Sequence, residues 1–337
     1  MSFQRAFIVR AAPLRSSALG FELGQRHLDR QDCSDPLTFD RCFMQYIYGY
    51  HDLDSVPRNP TSCRVEARKV LSGPTMETGK SSTIGAVLYG EHVAVALAMQ
   101  AAGSGAKAHT HPNEQFNYIL QGVMVSDIDD EKRTFGRKGM IVHTPSMSVH
   151  TGQACPDEDM YFFAMKDTRH GITGPPVDGI YDGPFYLPGF GKLAGQPKKT
   201  TLQMMAESGT DPEGAKTRYV YDFNNLTERA GRATSARMVP GLQLGSGAKG
   251  GVLISEKLQV AVLDLAPGAV LPTHAHGNEQ FTLIADGDVH AYVAGNSHRV
   301  KERYVIHMPP HTSHCIIAGS HGARIVTVQD TRFEFAG

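Results

Sequence analysis

One eight-residue pattern is written twice in this chain: His109-Thr110-His111-Pro112-Asn113-Glu114-Gln115-Phe116 and, 165 positions later, His274-Ala275-His276-Gly277-Asn278-Glu279-Gln280-Phe281. A duplication in register limits the fold to two copies of one structural unit. A further histidine follows each copy, His150 after the first and His314 after the second. Each half therefore offers three imidazoles and a side-chain oxygen, a nitrogen-rich set suited to a divalent transition metal.

The likeness extends beyond the motif. Val95-Ala96 aligns with Val260-Ala261, Gly103 with Gly268, Gly122 with Gly287, Pro145 with Pro309, and Asp167-Thr168-Arg169 with Asp330-Thr331-Arg332. The units run from about Val93 to Arg169 and from about Leu258 to Arg332, and Ala67–Val70 and Ala236–Val239 extend them upstream with a small offset. Short β-branched or aromatic runs fill each unit, among them HVAVALAM and MYFFAMK in the first and LQVAVLDL and ARIVTVQ in the second, cut by Gly, Pro, Asn and Asp. Closely spaced short strands of this kind predict an all-β sandwich or barrel. The expected organisation is an N-terminal arm over 1–60, a first barrel over 61–170, a Pro/Gly-rich connector over 171–220 with a short helix at TTLQMMAES, and a second barrel over 221–337.

At 337 residues the chain has room for two cores. Its 33 basic and 34 acidic residues argue against a nucleic-acid or other polyanion partner. Nothing approaches ~18 consecutive apolar residues, so a soluble cytoplasmic protein without membrane attachment is expected. Five unpatterned cysteines, Cys33, Cys42, Cys63, Cys155 and Cys315, suit a reducing compartment, with Cys315 expected as a buried thiol.

On a strand, residues two apart face the same way, so His109 and His111 share a face, as do His274 and His276. After the turn at Pro112-Asn113 or Gly277-Asn278, Gln115 or Gln280 opens the next strand. The candidate metal ligands are His109, His111, Gln115 and His150 in one half and His274, His276, Gln280 and His314 in the other. Glu114 and Glu279 are the alternatives to the two glutamines, since a turn residue can swing inward. Alternation turns them away from the interior if the strand has begun.

These residues resemble the two motifs of the cupin superfamily: Gly103…His109-Thr110-His111…Gln115…Gly122 with Gly139…Pro145…His150, then Gly268…His274-Ala275-His276…Gln280…Gly287 with Arg303…Pro309…His314. The resemblance covers about half the chain and implies two tandem jelly-roll barrels, a bicupin. Gln stands where the family usually has Glu, and its six-residue gap to Gly122 and Gly287 favours Gln over the neighbouring Glu. Met147, Arg303 and His311 occupy family glycine positions in turns, which questions local backbone shape more than metal binding.

A carboxamide in place of a carboxylate leaves an all-neutral ligand set, so a bound divalent ion keeps about two positive charges and favours a small anionic, chelating substrate. Fe(II) is the first choice of metal, with Mn, Ni and Zn open. The chain is similar to gentisate-type and flavonol-cleaving dioxygenases, which implies cleavage of an aromatic or enolic substrate with O2. The His-x-His-x-x-x-Gln pattern also resembles that of non-redox cupins, implying as the alternative an isomerase or lyase that acts on a sugar acid or keto acid through an enolate. A non-catalytic metal- or ligand-binding bicupin is the second alternative.

Alternation places Asn117 and Thr282 on the same interior face as the glutamines, where they orient water or substrate or simply fill the core. His143 and His307 align between the repeats as rim or metal-supporting residues, against the plainer reading of exposed imidazoles. Arg169 and Arg332 tie down each last strand, or hold a substrate carboxylate. Tyr46, Tyr48 and Tyr50 share a strand face, an interface or a substrate entrance. A homodimer is the expected assembly.

Overall fold

The computed structural model describes residues 44–51, 53, 60–70, 82–169, 174, 176–179, 200–208, 218–226 and 235–335. Cys33, Cys42, the arm up to residue 43 and most of the connector lie outside the described residues. The regular structure among the described residues is strand apart from one helix, Thr201–Ser208, on the segment expected to form it. No helix among the described residues is long and apolar enough to cross a membrane.

The first barrel closes from two facing antiparallel sheets. Strands Val93–Gln100, Gln115–Gln121, Met140–Thr144 and Met160–Asp167 belong to the larger, and Gly105–His109, Val123–Ile128, Glu131–Arg137 and His150–Ala154 form the smaller. In the second barrel the corresponding strands run on without interruption. Leu258–His274 and His314–Asp330 are 17 residues each and serve both walls by bending at register shifts, as between Leu265 and Val270. A bulge bends a strand while preserving its pairing on either side.

The apolar runs are buried on both faces because each barrel is packed inside and out. Val93, Val95 and Leu97 point outward into a core shared by the barrels, where they meet Leu258, Val260 and Val262. Alternate residues Ala96 and Ala98 point into the first barrel, and Ala261, Leu263 and Leu265 into the second. Buried on two sides, such strands lose the polar/apolar alternation of a half-exposed sheet. Each fully buried Val or Leu contributes about 1.5–3 kcal/mol. Alanines inside the first barrel leave space around the histidines that larger side chains would fill.

The two barrels also exchange strands. Ile47–Gly49 pairs antiparallel with Tyr304–Met308 of the second barrel, and the chain then enters the first at Arg64–Val70. Val220–Asp222 likewise pairs with Met140–Thr144 of the first barrel before Arg237–Leu244 opens the second. Each barrel is thus edged by a strand that precedes the other one in sequence, across the boundaries expected at 60/61 and 220/221. Tyr48 and Tyr50 are buried in the shared core, with the Tyr48 hydroxyl donating to the Gln45 carbonyl at 2.9 Å.

Candidate metal centres

Strand Gly105–His109 ends on His109, with His111 two residues beyond it, and strand His150–Ala154 begins on His150, paired with His109. The second barrel repeats this with Leu258–His274 and His314–Asp330, where His274 pairs with His314. Ring centroids of His109, His111 and His150 are 4.2–5.7 Å apart. Those of His274, His276 and His314 are 4.4–5.6 Å apart. In each triad one ligating atom per residue lies within 4.8 Å of the others, a group able to hold a metal ion.

All six imidazoles are oriented the same way. Nδ1 donates to a backbone carbonyl two residues away: Lys107, Asn113 and Ser148 in the first barrel at 2.6–3.1 Å, and Pro272, Asn278 and Thr312 in the second at 2.7–3.0 Å. With Nδ1 protonated, Nε2 carries the lone pair. Burial, reinforced by the neighbouring imidazoles, holds His150 far below the usual histidine range. Burial also lowers His276, and pulls His314 down to about 4. Neutral imidazole, the metal-binding form, is favoured at each of these three positions.

Strands open on Gln115 and Gln280, as alternation requires. The Gln115 amide donates to Asn117 Oδ1 at 2.7 Å, and Gln280 donates to Thr282 Oγ1 at 3.0 Å. The expected interior positions of Asn117 and Thr282 therefore orient the glutamines. Gln280 Oε1 lies 3.0 Å from His276 Nε2. Since His276 spends its Nδ1 proton on Asn278, these are two facing acceptors, which a shared cation reconciles. His274 Nε2 and His314 Nε2 are buried with no hydrogen-bond partner. This donor set fits a divalent metal.

The glutamates take a different course. Glu114 Oε1 accepts from His143 Nε2 at 2.9 Å, while Oε2 accepts the backbone amides of Lys257 and Leu258, both at 3.0 Å, at the start of the second barrel's Leu258–His274. Glu279 mirrors it, accepting from His307 Nε2 at 2.9 Å and from the amides of Glu91, His92 and Val93 at 2.7–3.0 Å in the first barrel. Each glutamate clamps the opposite barrel, so the alternative of Glu114 and Glu279 as metal ligands fails. Four-part polar satisfaction at a buried interface outweighs the swing of a turn residue.

Burial pushes the Glu114 carboxyl up, but His143, Ser255 and the Lys257 amide more than offset it and leave the group below the ordinary carboxylate range. Glu279 is held low in the same way against burial by His307 and the backbone amides. His143 Nδ1 shares a hydrogen bond with Ser235 at 2.6 Å, and His307 Nδ1 with Ser62 at 2.7 Å. Both serines lie on the segments that carry the exchanged strands. His143 and His307 are fully buried, stacked on Phe116 and Phe281 with centroids 4.3 Å apart. The expectation of rim or metal-supporting histidines is corrected accordingly: they support the glutamates and the strand exchange.

The asparagines and the Asp-Thr-Arg ends finish the motif. Asn113 donates to the Asp167 carbonyl at 2.6 Å and the Glu114 amide to Asp167 Oδ2 at 2.8 Å; Asn278, Glu279 and Asp330 repeat the pattern at 2.8 and 2.9 Å. Arg169 and Arg332 grip Asp167 and Asp330 at 2.8–3.1 Å. They are engaged in tying down the last strands, Arg169 reaching Ser146 as well at 2.8 Å and Arg332 the Gly277 carbonyl at 3.3 Å. At the family glycine positions the backbone keeps left-handed φ without glycine, at 63° for Met147, 65° for Arg303 and 62° for His311. The turn shape survives at a strain of order 1 kcal/mol each.

One residue escaped the sequence reading. Lys166 faces inward with Phe162 and Ala164, 2% exposed, and its Nζ lies 3.0 Å from His111 Nε2. Burial, partly opposed by Asp167, pulls its ammonium down to about 7. The signal was present: alternation through Tyr161–Lys166 places a lysine where a core residue belongs, and the Asp-Thr-Arg alignment sets it against Gln329. Beside this site, His109, Gln115, Asn117, His150, Phe162 and Ala164 help line a cavity of about 60 Å³, more than one water needs.

A model of the family described as Cupin domain matches residues 96–166 and again 261–328. Among solved structures, protein Ylba from E. coli is similar over 85% of this chain and 99% of that one, with 13% identity and a TM-score of 0.50. A salicylate 1,2-dioxygenase variant from Pseudoaminobacter salicylatoxidans in complex with gentisate is similar over 76% of this chain and 75% of its own, with 12% identity and a TM-score of 0.49. A mutant of Bacillus subtilis oxalate decarboxylase is similar over 85% and 77%, with 15% identity and a TM-score of 0.46. At such identities the likeness is one of fold. No curated protein matches the sequence.

Proposed function

Because the chain is a two-domain cupin with three imidazoles and a glutamine gathered in each barrel, we propose that it is a metal-dependent dioxygenase cleaving a small oxyanionic, aromatic or enolic compound. The observation that supports this most is the pair of facing acceptors in the second barrel, Gln280 Oε1 and His276 Nε2 at 3.0 Å, beside the partnerless Nε2 atoms of His274 and His314. His109, His111, Gln115 and His150 hold the ion in the first barrel, and His274, His276, Gln280 and His314 in the second. A bound divalent ion supplies a Lewis acid and, as Fe(II), a redox partner.

The protein's own part is preorganisation. The Nδ1 bonds fix every imidazole, and Asn117 and Thr282 hold the carboxamides by their amide groups. No ligand carries charge, so the ion's charge is left for a chelating anion. A cavity lined by His109, His150 and Gln115 gives the first barrel room for a compact ligand. One observation favours a second reading, a redox-neutral isomerase or lyase: the Lys166 amine stands beside His111, where a proton-moving group would serve.

The test is oxygen uptake by Fe(II)-reconstituted protein with catechols, gentisate-type hydroxy acids and β-diketones, repeated anaerobically. A dioxygenase stops without O2. Turnover that persists anaerobically with Zn or Mn defeats the first reading and leaves the second. Gln115→Ala and Gln280→Ala, made separately, show which barrel works; equal losses assign turnover to both.

A further inference from the structure

The two centres share their histidines and glutamine; besides Asn117 in the first against Thr282 in the second, they differ at the inward position that faces the glutamine across the next strand. Strand Met160–Asp167 sets Lys166 opposite Gln115, and strand His314–Asp330 sets Gln329 opposite Gln280. Gln329 donates its amide to Gln280 Oε1 at 2.5 Å and so steadies the carboxamide. Lys166 instead reaches past Gln115 to His111 Nε2 at 3.0 Å. His111 Nδ1 is committed to the Asn113 carbonyl, so Nε2 is the acceptor in this contact. An amine donates an N–H to it whether charged or neutral. The lone pair that a metal needs is thus already engaged in the first barrel, and its counterpart in the second faces only another acceptor.

A second difference concerns access. His109 is bridged to Pro176 of the connector, and the Val177 amide donates to the Ala108 carbonyl at 2.8 Å. The histidines of the first barrel are 2–6% exposed, whereas His274 and His276 are only partly buried.

We propose that Lys166 makes the two centres unequal: the second barrel holds the resident metal, and the first takes up metal only by displacing the Lys166 amine from His111. The inequality rests on the metal reading above and goes beyond it. A charged Lys166 adds repulsion between cations in one low-dielectric cavity, which an anion arriving with the metal relieves.

Metal-stripped full-length protein titrated with Co(II), followed by calorimetry and by the Co(II) absorption bands, tests this. Two classes are expected, one equivalent binding tightly and one at least tenfold more weakly. His276→Ala removes the tight class and His111→Ala the weak one. Lys166→Gln, which installs the second barrel's own residue, brings the weak class within about threefold of the tight one, and Gln329→Lys weakens the second barrel by a similar factor. Thermal melts of both swaps check folding, and either swap alone suffices as a test. Absence of any Co(II) uptake defeats the metal reading itself. Equal classes in the unaltered protein defeat the inequality alone, and a weak class untouched by Lys166→Gln, or a tight class untouched by Gln329→Lys, defeats the role of Lys166.

Discussion

Replacing Glu279 by Gln separates the two roles that the repeated motif offers this residue. In the structure its carboxylate is buried and accepts four hydrogen bonds: Glu91, His92 and Val93 amides at 3.0, 2.7 and 3.0 Å and His307 Nε2 at 2.9 Å. A carboxamide keeps one oxygen and presents an NH2 where the other stood, so at least one backbone amide loses its acceptor, costing about 1–3 kcal/mol. The surviving bonds fall from charge-assisted to neutral strength, about 1 kcal/mol each. Glu279→Gln should therefore cost about 3 kcal/mol, or roughly 4 °C of Tm in a protein of this size. The assay is thermal and urea unfolding of metal-stripped protein, with amide exchange read at residues 91–93. Those amides belong to the first barrel, so the loss of protection appears opposite the mutated one. Co(II) affinity of the second barrel should change less than threefold. A stability loss under ~1 kcal/mol, together with metal loss as large as that of His276→Ala, would refute the clamp and restore Glu279 as a ligand.

Gly90→Ala should imitate that variant sterically, because the new Cβ would fall on the Glu279 carboxylate; a Tm unchanged within 1 °C would show the carboxylate free to move aside. Asn117→Ala should free the Gln115 amide and weaken metal binding in the first barrel about tenfold, read by Co(II) titration, with the second barrel untouched. Acid should act through the clamps: both carboxyls lie below the ordinary value of 4.5 in the folded state, so their contribution is present above that pH and is lost as pH falls through their folded values. The Glu114→Gln, Glu279→Gln double variant should show a flatter loss of Tm below pH 4.5 than the unaltered protein.

How much of this was legible in the sequence differs from residue to residue, for physical reasons. The histidine triads were, because two residues apart on an extended chain share a face and the third histidine recurs at nearly the same interval. Gln115 and Gln280 were, because strand alternation and the spacing to Gly122 and Gly287 both select them. Their neighbours Glu114 and Glu279 were only half legible: alternation says that they turn outward, but their partners are amides nearly 150 or more positions away in the other repeat. His143 and His307 show the same limit. Their alignment between repeats was visible, while the serines that hold them, Ser235 and Ser62, lie on strand-exchanging segments whose three-residue strands are too short to carry a period.

That limit bears on how the barrels work together. In each repeat, four consecutive residues, from Asn113 to Phe116 and from Asn278 to Phe281, point in four directions. The asparagine goes to the last strand, the glutamate to the other barrel, the glutamine to the metal-binding cluster and the phenylalanine to the histidine that steadies the glutamate. The glutamine's backbone is therefore bracketed by one contact inside its own barrel and one across the interface. A displacement of Leu258 or Val93 would reach the carboxamide through a clamp only one residue away. Coupling of this kind predicts that Glu279→Gln also shifts, by a factor of two or three, the Co(II) affinity of the first barrel, whose strand it no longer anchors. An unchanged first-barrel affinity in that variant would mean that the barrels share a core but work independently.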